Sequence, residues 1–249
     1  MKKVIILFVF ALLLSCKNNQ EVNETVRLEI INKEIISNKS NTNKTDNSII
    51  NLITFKLINK SKKRMFFVLD EDNIPSAIPF SEKTINDSSF FGKKGKVLYE
   101  IRTNKNVKPS FTLYIADHFS RQNVDCIYDV QKLNEIKKRL KELEIPVING
   151  DYEFSNSIKN NSFILYPKQV KYFKTIISLP KKIDKSNREF SEIKFNYDET
   201  YNFNLLYLSD KNVIKKALPS YKIRELQEND IEIFNGKLVS NAIPVKFIN

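Results

Sequence analysis

Few residues in this chain could carry out chemistry, because its 249 residues include one histidine and two cysteines. The histidine, His118, follows Asp117 in a short run that begins at Ile115. In a strand, adjacent side chains point to opposite faces, so Asp117 cannot orient His118 locally as a hydrolase triad requires. The sequence contains no nucleophile elbow either. We therefore expect His118 to lie at a strand end or in a loop, without a catalytic role.

Cys126 lies next to an apolar residue, Ile127. A cysteine nucleophile needs a nearby base, and His118 is the one histidine that could serve. A buried structural thiol is therefore the favoured interpretation of Cys126.

Metal and phosphate chemistry are not indicated by the sequence. The acidic run Asp70–Asn73 lacks the glycine and the later bidentate glutamate of a calcium loop, so we interpret it as a turn. The four glycines, at positions 92, 95, 150 and 236, are too scattered to form a phosphate-binding loop. We expect neither a metal site nor a cofactor.

Paired carboxylates are the catalytic option that the sequence leaves open. A glycoside hydrolase needs two acids about 5 to 10 Å apart in the fold, whatever their spacing in the sequence. Nothing in the positions of the acids selects such a pair. An envelope glycan hydrolase is therefore kept as an alternative function, with no residue assigned to it.

The amino-terminal stretch has the pattern of a cleaved export signal. Lys2 and Lys3 precede an apolar run, Val4–Leu14, which ends at the small residue Ser15 and at Cys16. A membrane-spanning helix needs about 20 apolar residues, and this run is roughly half as long. A short apolar core behind a cationic end is instead typical of a secretory signal peptide.

The end of this signal, Leu13-Leu14-Ser15-Cys16, resembles the lipobox of bacterial lipoproteins. The resemblance implies that residues 1–15 are removed and that Cys16 becomes a lipid-modified first residue, anchored in a membrane by several acyl chains. An ordinary signal peptide followed by a chance cysteine is the alternative. With Cys16 lipidated, Cys126 has no disulfide partner, and one cysteine and one histidine are too few for zinc.

Residues 16–24 form the lipidated cysteine and a polar tether, which has no apolar periodicity. By resemblance to known lipoproteins, Lys17 after the cysteine permits transfer to the outer membrane. Glu21 and Glu24 are a poor match to the acidic cluster of surface-bound lipoproteins. We expect a cell-envelope location at the outer membrane facing the periplasm, with surface exposure as the alternative.

The chain is strongly basic, with a net charge of +12 that falls to +10 once Lys2 and Lys3 are cleaved away. The basic residues form short groups, most of them near turns: Lys62-Lys63-Arg64, Lys93-Lys94-Lys96, Lys137-Lys138-Arg139, Lys181-Lys182 and Lys215-Lys216. Aromatic residues do not alternate with them as in a base-stacking groove, so we expect no nucleic-acid partner. A solvated basic surface is favoured, and attraction to anionic lipid or glycan is the alternative.

The amino-terminal part of the domain predicts strands over Val26–Ile36, Ile49–Asn59 and Arg64–Leu69. In the second of these, alternation places one apolar set on the buried face: Ile53, Phe55 and Leu57. The polar run Asn59–Lys63 predicts a turn that joins the last two strands as an antiparallel hairpin.

The middle of the chain predicts two strands, Val97–Arg102 and Phe111–Ala116, and one amphipathic helix between Asp125 and Pro146. The helix has one apolar stripe, formed by Val130, Leu133, Ile136, Leu140 and Leu143. We expect the stripe to pack against a sheet, because acids alternate with bases on the opposite side.

The carboxyl-terminal part returns to strands within Ser162–Pro180 and Phe190–Leu208, followed by two short helical turns on either side of Pro219. Asn235-Gly236 predicts a type I′ hairpin, and Pro244 predicts an edge strand. One aromatic and aliphatic face of Phe190–Leu208 holds every second residue: Phe195, Tyr197, Tyr201, Phe203, Leu205 and Tyr207.

These strands resemble immunoglobulin-like domains of bacterial envelope proteins. Tyr201 and Phe203 resemble the tyrosine corner of that architecture, in which the tyrosine hydroxyl bonds back across a turn. We therefore predict a mainly β chain. Its residues 25–249 are expected to form an antiparallel immunoglobulin-like sandwich, interrupted around residues 81–160 by a segment with one amphipathic helix. Two small β-rich domains are the alternative.

A lipid-anchored β domain without a visible catalytic constellation predicts a binding, scaffolding or accessory role in the envelope rather than an enzyme. The expected partners are a membrane, reached through the lipid on Cys16, and an envelope protein of unspecified identity. Two alternatives are a glycan hydrolase that uses a carboxylate pair and a protein that binds anionic membrane surfaces. Because this architecture hosts unrelated functions, fold alone does not decide among them.

Overall fold

A computed structural model of the chain describes residues 25–39, 48–70, 74, 76–78, 94–115, 134–135, 137–138, 141–142, 158, 160–180 and 189–248. The described strands are β1 (Val26–Ile30), β2 (Ile35–Asn38), β3 (Ile49–Asn59), β4 (Arg64–Val68), β5 (Lys94–Thr103), β6 (Ser110–Ile115), β7 (Ser162–Leu165), β8 (Val170–Leu179), β9 (Glu189–Lys194), β10 (Tyr201–Ser209), β11 (Ile231–Ile233), β12 (Gly236–Val239) and β13 (Ile243–Ile248). Two helices, α1 (Lys211–Ala217) and α2 (Ser220–Glu228), follow β10. The prediction of a mainly β chain is confirmed.

The strands form four sheets. The first has the order β1-β3-β8, and the second has the order β12-β10-β13-β2 with β5 also paired to β10. The third has the order β11-β4-β7, and β6 pairs with β9 in the fourth. Most pairings are antiparallel, as predicted, but β11 pairs with β4 and β13 with β2 in parallel. Residues 94–103, inside the predicted insertion, pair with β10 and so belong to the second sheet.

One hydrophobic core joins the first three sheets, because each turns its apolar side inward. The predicted inner residues of β3 and the alternate residues of β10 are buried together in it: Ile53, Phe55, Leu57, Tyr201, Phe203, Leu205 and Tyr207. A row of aromatic rings runs across it in the order Phe234, Phe67, Phe163, Phe173 and Phe55, with neighbouring centroids 5.1 to 5.6 Å apart. Such pairs add to area burial and fix how the sheets pack.

The predicted hairpin between β3 and β4 is wrong, because these strands belong to different sheets. Both edges of β3 are taken, one by β1 and the other by β8. The turn after Asn59 therefore carries the chain from the first sheet to the third, and residues 166–169 return it from β7 to β8. We call these two crossing connections, residues 59–63 and 166–169, the double arch.

Asn59 holds the double arch together from a fully buried position. Its side-chain Nδ2 donates to the carbonyl oxygens of Lys63 at 2.7 Å and Leu165 at 2.9 Å. Its backbone N–H donates to the Gln169 carbonyl oxygen at 3.1 Å, and its own carbonyl accepts from the Lys168 N–H at 2.8 Å. A turn-forming residue in the sequence is therefore a buried link between two connections.

Two other local predictions are corrected. Val26–Ile36 is not one strand: β1 ends at Ile30 and β2 starts at Ile35 in another sheet. Asn235-Gly236 does not form a hairpin, because β11 pairs with β4 and β12 with β10. The positive φ that a type I′ turn needs at both positions is present at Gly236, but Asn235 is not among the non-glycine residues with positive φ in the described part of the chain.

The predicted edge position of Pro244 is also wrong. β13 lies between β10 and β2, and Pro244 is opposite Asn202. The proline is accommodated because the pairing with β10 covers only Ile243 and Pro244, and pairing with β2 begins at the next residue.

The two predicted helical turns are confirmed as α1 and α2, with Pro219 directly before α2. The Asp210 side chain caps α1 by accepting from the Asn212 N–H at 2.8 Å. A second apolar cluster packs both helices against β4, with Phe66 and Val68 on the strand side.

The predicted helix between residues 125 and 146 is described at few positions. Residues 134–135, 137–138 and 141–142 are helical and exposed. The residues of the apolar stripe lie outside the described part of the chain, so its packing stays a prediction.

Tyr201 makes the bond predicted for it. Its hydroxyl oxygen accepts from the Asn196 backbone N–H at 3.0 Å, back across the turn that precedes β10. Phe203, two residues later, is fully buried and stacks on Tyr99 with ring centroids 5.7 Å apart. The immunoglobulin-like identity of the sandwich stays a prediction.

Candidate interaction surface

The residues that the sequence singled out for chemistry lie outside the described part of the chain. They are Cys16, His118 and Cys126, together with residues 71–73 of the acidic run. Asp70 is described and forms an isolated bridge with Lys96. In the described residues no group of three or more histidine, cysteine, aspartate or glutamate side chains is arranged to hold a metal. No described helix has both the length and the apolarity to cross a bilayer.

Glu100 is a buried acid, and its contacts are structural. Its Oε1 lies 2.6 Å from Arg102 Nη2 and 3.3 Å from Lys108 Nζ. Lys108 Nζ also donates to the Ala77 carbonyl oxygen at 3.0 Å. The carboxylate therefore joins β5 to the chain around Ala77 and is held between two cations.

The outer side of the β1-β3-β8 sheet carries large apolar side chains in contact with solvent. Ile50 and Leu52 of β3 are 70% and 54% exposed, and Ile176 of β8 is 66% exposed. Ile31, directly after β1, is 47% exposed. We call these four residues the apolar face.

The register brings the apolar face together. Leu52 is directly opposite Ile176, at the distance where cross-strand side chains touch. Ile31 is held beside β3 because its N–H donates to the Thr54 carbonyl oxygen at 2.9 Å. The next residue, Asn32, donates to the Leu52 carbonyl oxygen at 3.0 Å and accepts from the Thr54 N–H at 2.7 Å. Contiguous exposed apolar patches of this kind mark interaction sites.

The same sheet surface becomes charged toward the other end of β3. Glu29 lies between Arg27 at 2.7 Å and Lys56 at 2.8 Å. The hydrogen bond from Lys56 lowers the pKa of Glu29 against the opposing effect of burial, and Arg27 lowers it further. Tyr172, opposite Lys56 on β8, is 60% exposed.

The double arch lies at the end of the β1-β3-β8 sheet beyond this charged region, and four of its nine residues are lysines. The first connection carries Lys60, Lys62 and Lys63, and the second carries Lys168, with Lys171 just after it. Neither residues 59–64 nor residues 166–172 contain an acid. Lys63 pairs with Glu232, and the Lys171 ammonium lies 4.1 Å from the centroid of the Phe163 ring.

A shallow groove of about 210 Å³ lies between the helices and β11. Lys211 and Lys215 of α1 stand on one side, and Ile223, Leu226 and Ile231 form an apolar floor. Its volume is below the 300 to 1,000 Å³ that is usual for small-molecule sites. The apolar face and the double arch are therefore the more prominent surfaces.

Sequence reasoning did not identify the apolar face as a site. Alternation puts Leu52 on the side of β3 opposite to Ile53, but alternation alone does not show whether that side is covered. The signal that could have revealed the face is that β3 and β8 each carry an apolar residue on the outer side, Leu52 and Ile176. Their pairing depends on the register between two strands that are distant in the sequence.

The chain was compared with protein-family models, with curated proteins and with solved structures, and none of the three comparisons gave a match.

Proposed function

We propose that this chain is a lipid-anchored protein of the cell envelope with a non-catalytic binding or accessory role. The proposed anchor is the lipid on Cys16. The proposed location of the domain is the periplasmic face of the outer membrane. The observation that carries the binding role is the apolar face on a sheet whose other side packs into the hydrophobic core.

The proposed occupant of the apolar face is an envelope protein with an apolar patch bordered by acids. Apolar residues on the partner would match Leu52 and Ile176. Acids would match the exposed Lys33, two residues after Ile31, and the positive net charge of the chain.

The size of the face indicates how the partner binds. A stable protein interface buries about 800 Å² on each partner, which is more than four side chains supply. Among the described strands β8 pairs only with β3, so no described strand pairs with its other edge. That edge lies next to the apolar face, because Ile176 belongs to β8. An extended partner segment can therefore add to β8 and also cover Ile176.

Site-specific photocrosslinking tests this proposal in intact envelopes. A photoreactive residue at Leu52 or Ile176 should give a discrete adduct with one protein. Tyr221 on α2, which is as exposed as Leu52, is the matched control and should give none. Equal labelling from Tyr221, or no adduct at Leu52 and Ile176, would contradict the proposed binding role.

The anchor is tested separately. Cells that express the full chain should incorporate a clickable palmitate analogue into it, and the Cys16→Ala variant should incorporate none. Equal labelling of both chains would rule out lipidation at Cys16 and leave the crosslinking result unaffected.

A further inference from the structure

We propose that the double arch is the membrane-facing end of the domain and that it binds the anionic headgroups of a phospholipid surface. This inference deepens the proposed lipid anchor, on which it rests. It concerns a different end of the β1-β3-β8 sheet from the apolar face.

The point where the described chain begins lies on the double arch. The Thr25 carbonyl oxygen accepts from the N–H groups of Lys60 at 2.8 Å and Ser61 at 3.1 Å. Cys16 lies nine residues before Thr25. An extended chain spans at most about 3.3 to 3.6 Å per residue. A lipid on Cys16 would therefore keep Thr25, and the double arch with it, within about 30 Å of the bilayer.

The charges of this end suit an anionic surface. In the described part of the chain no carboxylate pairs with Lys62, Lys168 or Lys171. Glu29 is already paired with Arg27 and Lys56, and Glu232 with Lys63. Each lysine near an anionic leaflet strengthens membrane binding roughly fivefold.

The exposed apolar residues of this end suit the headgroup layer rather than the bilayer interior. Residues 166–172 are exposed throughout, and two of them are tyrosines, Tyr166 at 52% and Tyr172 at 60%. Tyrosine has an apolar ring and a polar hydroxyl, and it is enriched where membrane meets water. Lysine likewise can lay its apolar stem against apolar groups while its ammonium stays in the polar layer.

The double arch is also rigid enough to present these side chains together. Asn59 links both connections through four hydrogen bonds. The lysines of the two connections are therefore held on one surface, although Lys62 and Lys168 are far apart in the sequence.

Vesicle flotation tests the proposal without the lipid. The mature chain from residue 16, carrying Cys16→Ser, should float with vesicles of phosphatidylglycerol and phosphatidylcholine but not with phosphatidylcholine alone. The double variant Lys62→Gln/Lys168→Asn should bind about 25-fold more weakly. The φ of Lys168 is +63°, and asparagine is chosen for this position because it tolerates that conformation.

The matched control removes the same charge from the opposite end of β3. Lys33 directly follows Asn32, which bonds to Leu52, and Lys39 directly follows β2, whose Ile36 bonds to Asn51 of β3; both lysines are exposed. Lys33→Gln/Lys39→Gln should bind as the parent does. An equal loss in both double variants would show a diffuse attraction by net charge and would overturn the proposal. Binding by neither parent nor variants would overturn it too.

Orientation is tested on the lipidated full chain in the same vesicles. The chain has no tryptophan, so Tyr166→Trp and Ile50→Trp each introduce a single reporter. Brominated lipid should quench the reporter at residue 166 and not the one at residue 50. The reverse pattern would assign the membrane to the apolar face and contradict the proposal. The flotation chain carries no lipid, so flotation reports on the lysine surface alone. Palmitate labelling reports on the Cys16 anchor alone, and the two claims can therefore fail separately.

Discussion

The two sides of β3 carry similar residues and have opposite surroundings. Ile53, Phe55 and Leu57 are almost fully buried in the core, whereas Ile50 and Leu52 project into solvent. Successive side chains on a strand alternate between faces, so both sets come from one run of apolar sequence. Burial in this sheet is therefore decided by what covers each side, and only one side is covered by the rest of the described chain.

The comparison predicts that stability depends on the inner side and binding on the outer side. The largest effect is expected at Phe55, which stacks on Phe173 with ring centroids 5.1 Å apart. Phe55→Ala should lower the free energy of unfolding by about 3 to 5 kcal/mol, because it removes buried area and leaves a cavity. Urea denaturation followed by circular dichroism measures it. Leu52→Ala, on the outer side, is the control, and an equal loss there would break the comparison.

The next largest effect is expected at Asn59, a polar residue that is buried like Phe55. Asn59→Ala removes the buried Nδ2 bonds to the Lys63 and Leu165 carbonyl oxygens, of which the Lys63 oxygen keeps the Ser61 hydroxyl as a donor. The free energy of unfolding should fall by about 2 to 3 kcal/mol. Asn104→Ala, which removes an exposed bond to Thr200, should cost less than about 1 kcal/mol in the same denaturation experiment. Equal costs would show that the double arch is not a fixed link.

The next effect is expected at alkaline pH, which should lower the free energy of unfolding through two tyrosines of the core that the inner side of β3 faces. Burial raises the pKa of Tyr99 to about 12, and burial also raises the pKa of Tyr207. Above pH 10 the unfolded chain loses the tyrosine proton while the folded chain keeps it, so stability is complete below pH 10 and falls as pH rises toward 12. The slope should be about 1.4 kcal/mol per pH unit for each tyrosine. Denaturation at pH 9 to 12 measures it, and Tyr99→Phe should show a shallower slope than the parent chain.

A smaller effect is expected where the core meets the turn before β10. Tyr201→Phe keeps the ring in the core and removes the hydroxyl that accepts from the Asn196 N–H. The free energy of unfolding should fall by about 1 kcal/mol. Tyr221→Phe, on an exposed tyrosine of α2, should change it by less than about 0.5 kcal/mol. No difference between these two variants would contradict a structural role for the Tyr201 hydroxyl.

The smallest effect on stability is expected at the apolar face. Leu52→Ser/Ile176→Ser should change the free energy of unfolding by less than about 0.5 kcal/mol for each residue, since both side chains are exposed. The same variant should lose capture of the proposed partner from crosslinked envelopes. A stable variant that still captures the partner would show that the partner binds elsewhere.

Strand positions followed from local pattern, and strand partners did not. Alternation placed Ile53, Phe55 and Leu57 on the buried side of β3, and the odd-numbered face of β10 was found in the same way. The residues after Asn59 and at Asn235-Gly236 predict hairpins that the fold does not contain, because a polar turn has the same composition whether it joins neighbouring strands or crosses between sheets. The exposure of Leu52 and Ile176 also depends on which elements cover a sheet, which is a property of the whole fold. The anchor on Cys16 depends on residues outside the described part of the chain, so it stays a proposal.

The double arch has a consequence for how this chain folds. Ile49 is opposite Leu179 and Ile35 is opposite Val245, so strands near the start of the domain find their partners near its end. Closing such long loops precedes any gain from pairing, and folds dominated by distant contacts form slowly. The first third of the chain therefore has no finished sheet to join until the last third has been synthesised. Such a delay would suit the proposed export of the chain, because β2 and β3 lack their partners β13 and β8 until the last third is present.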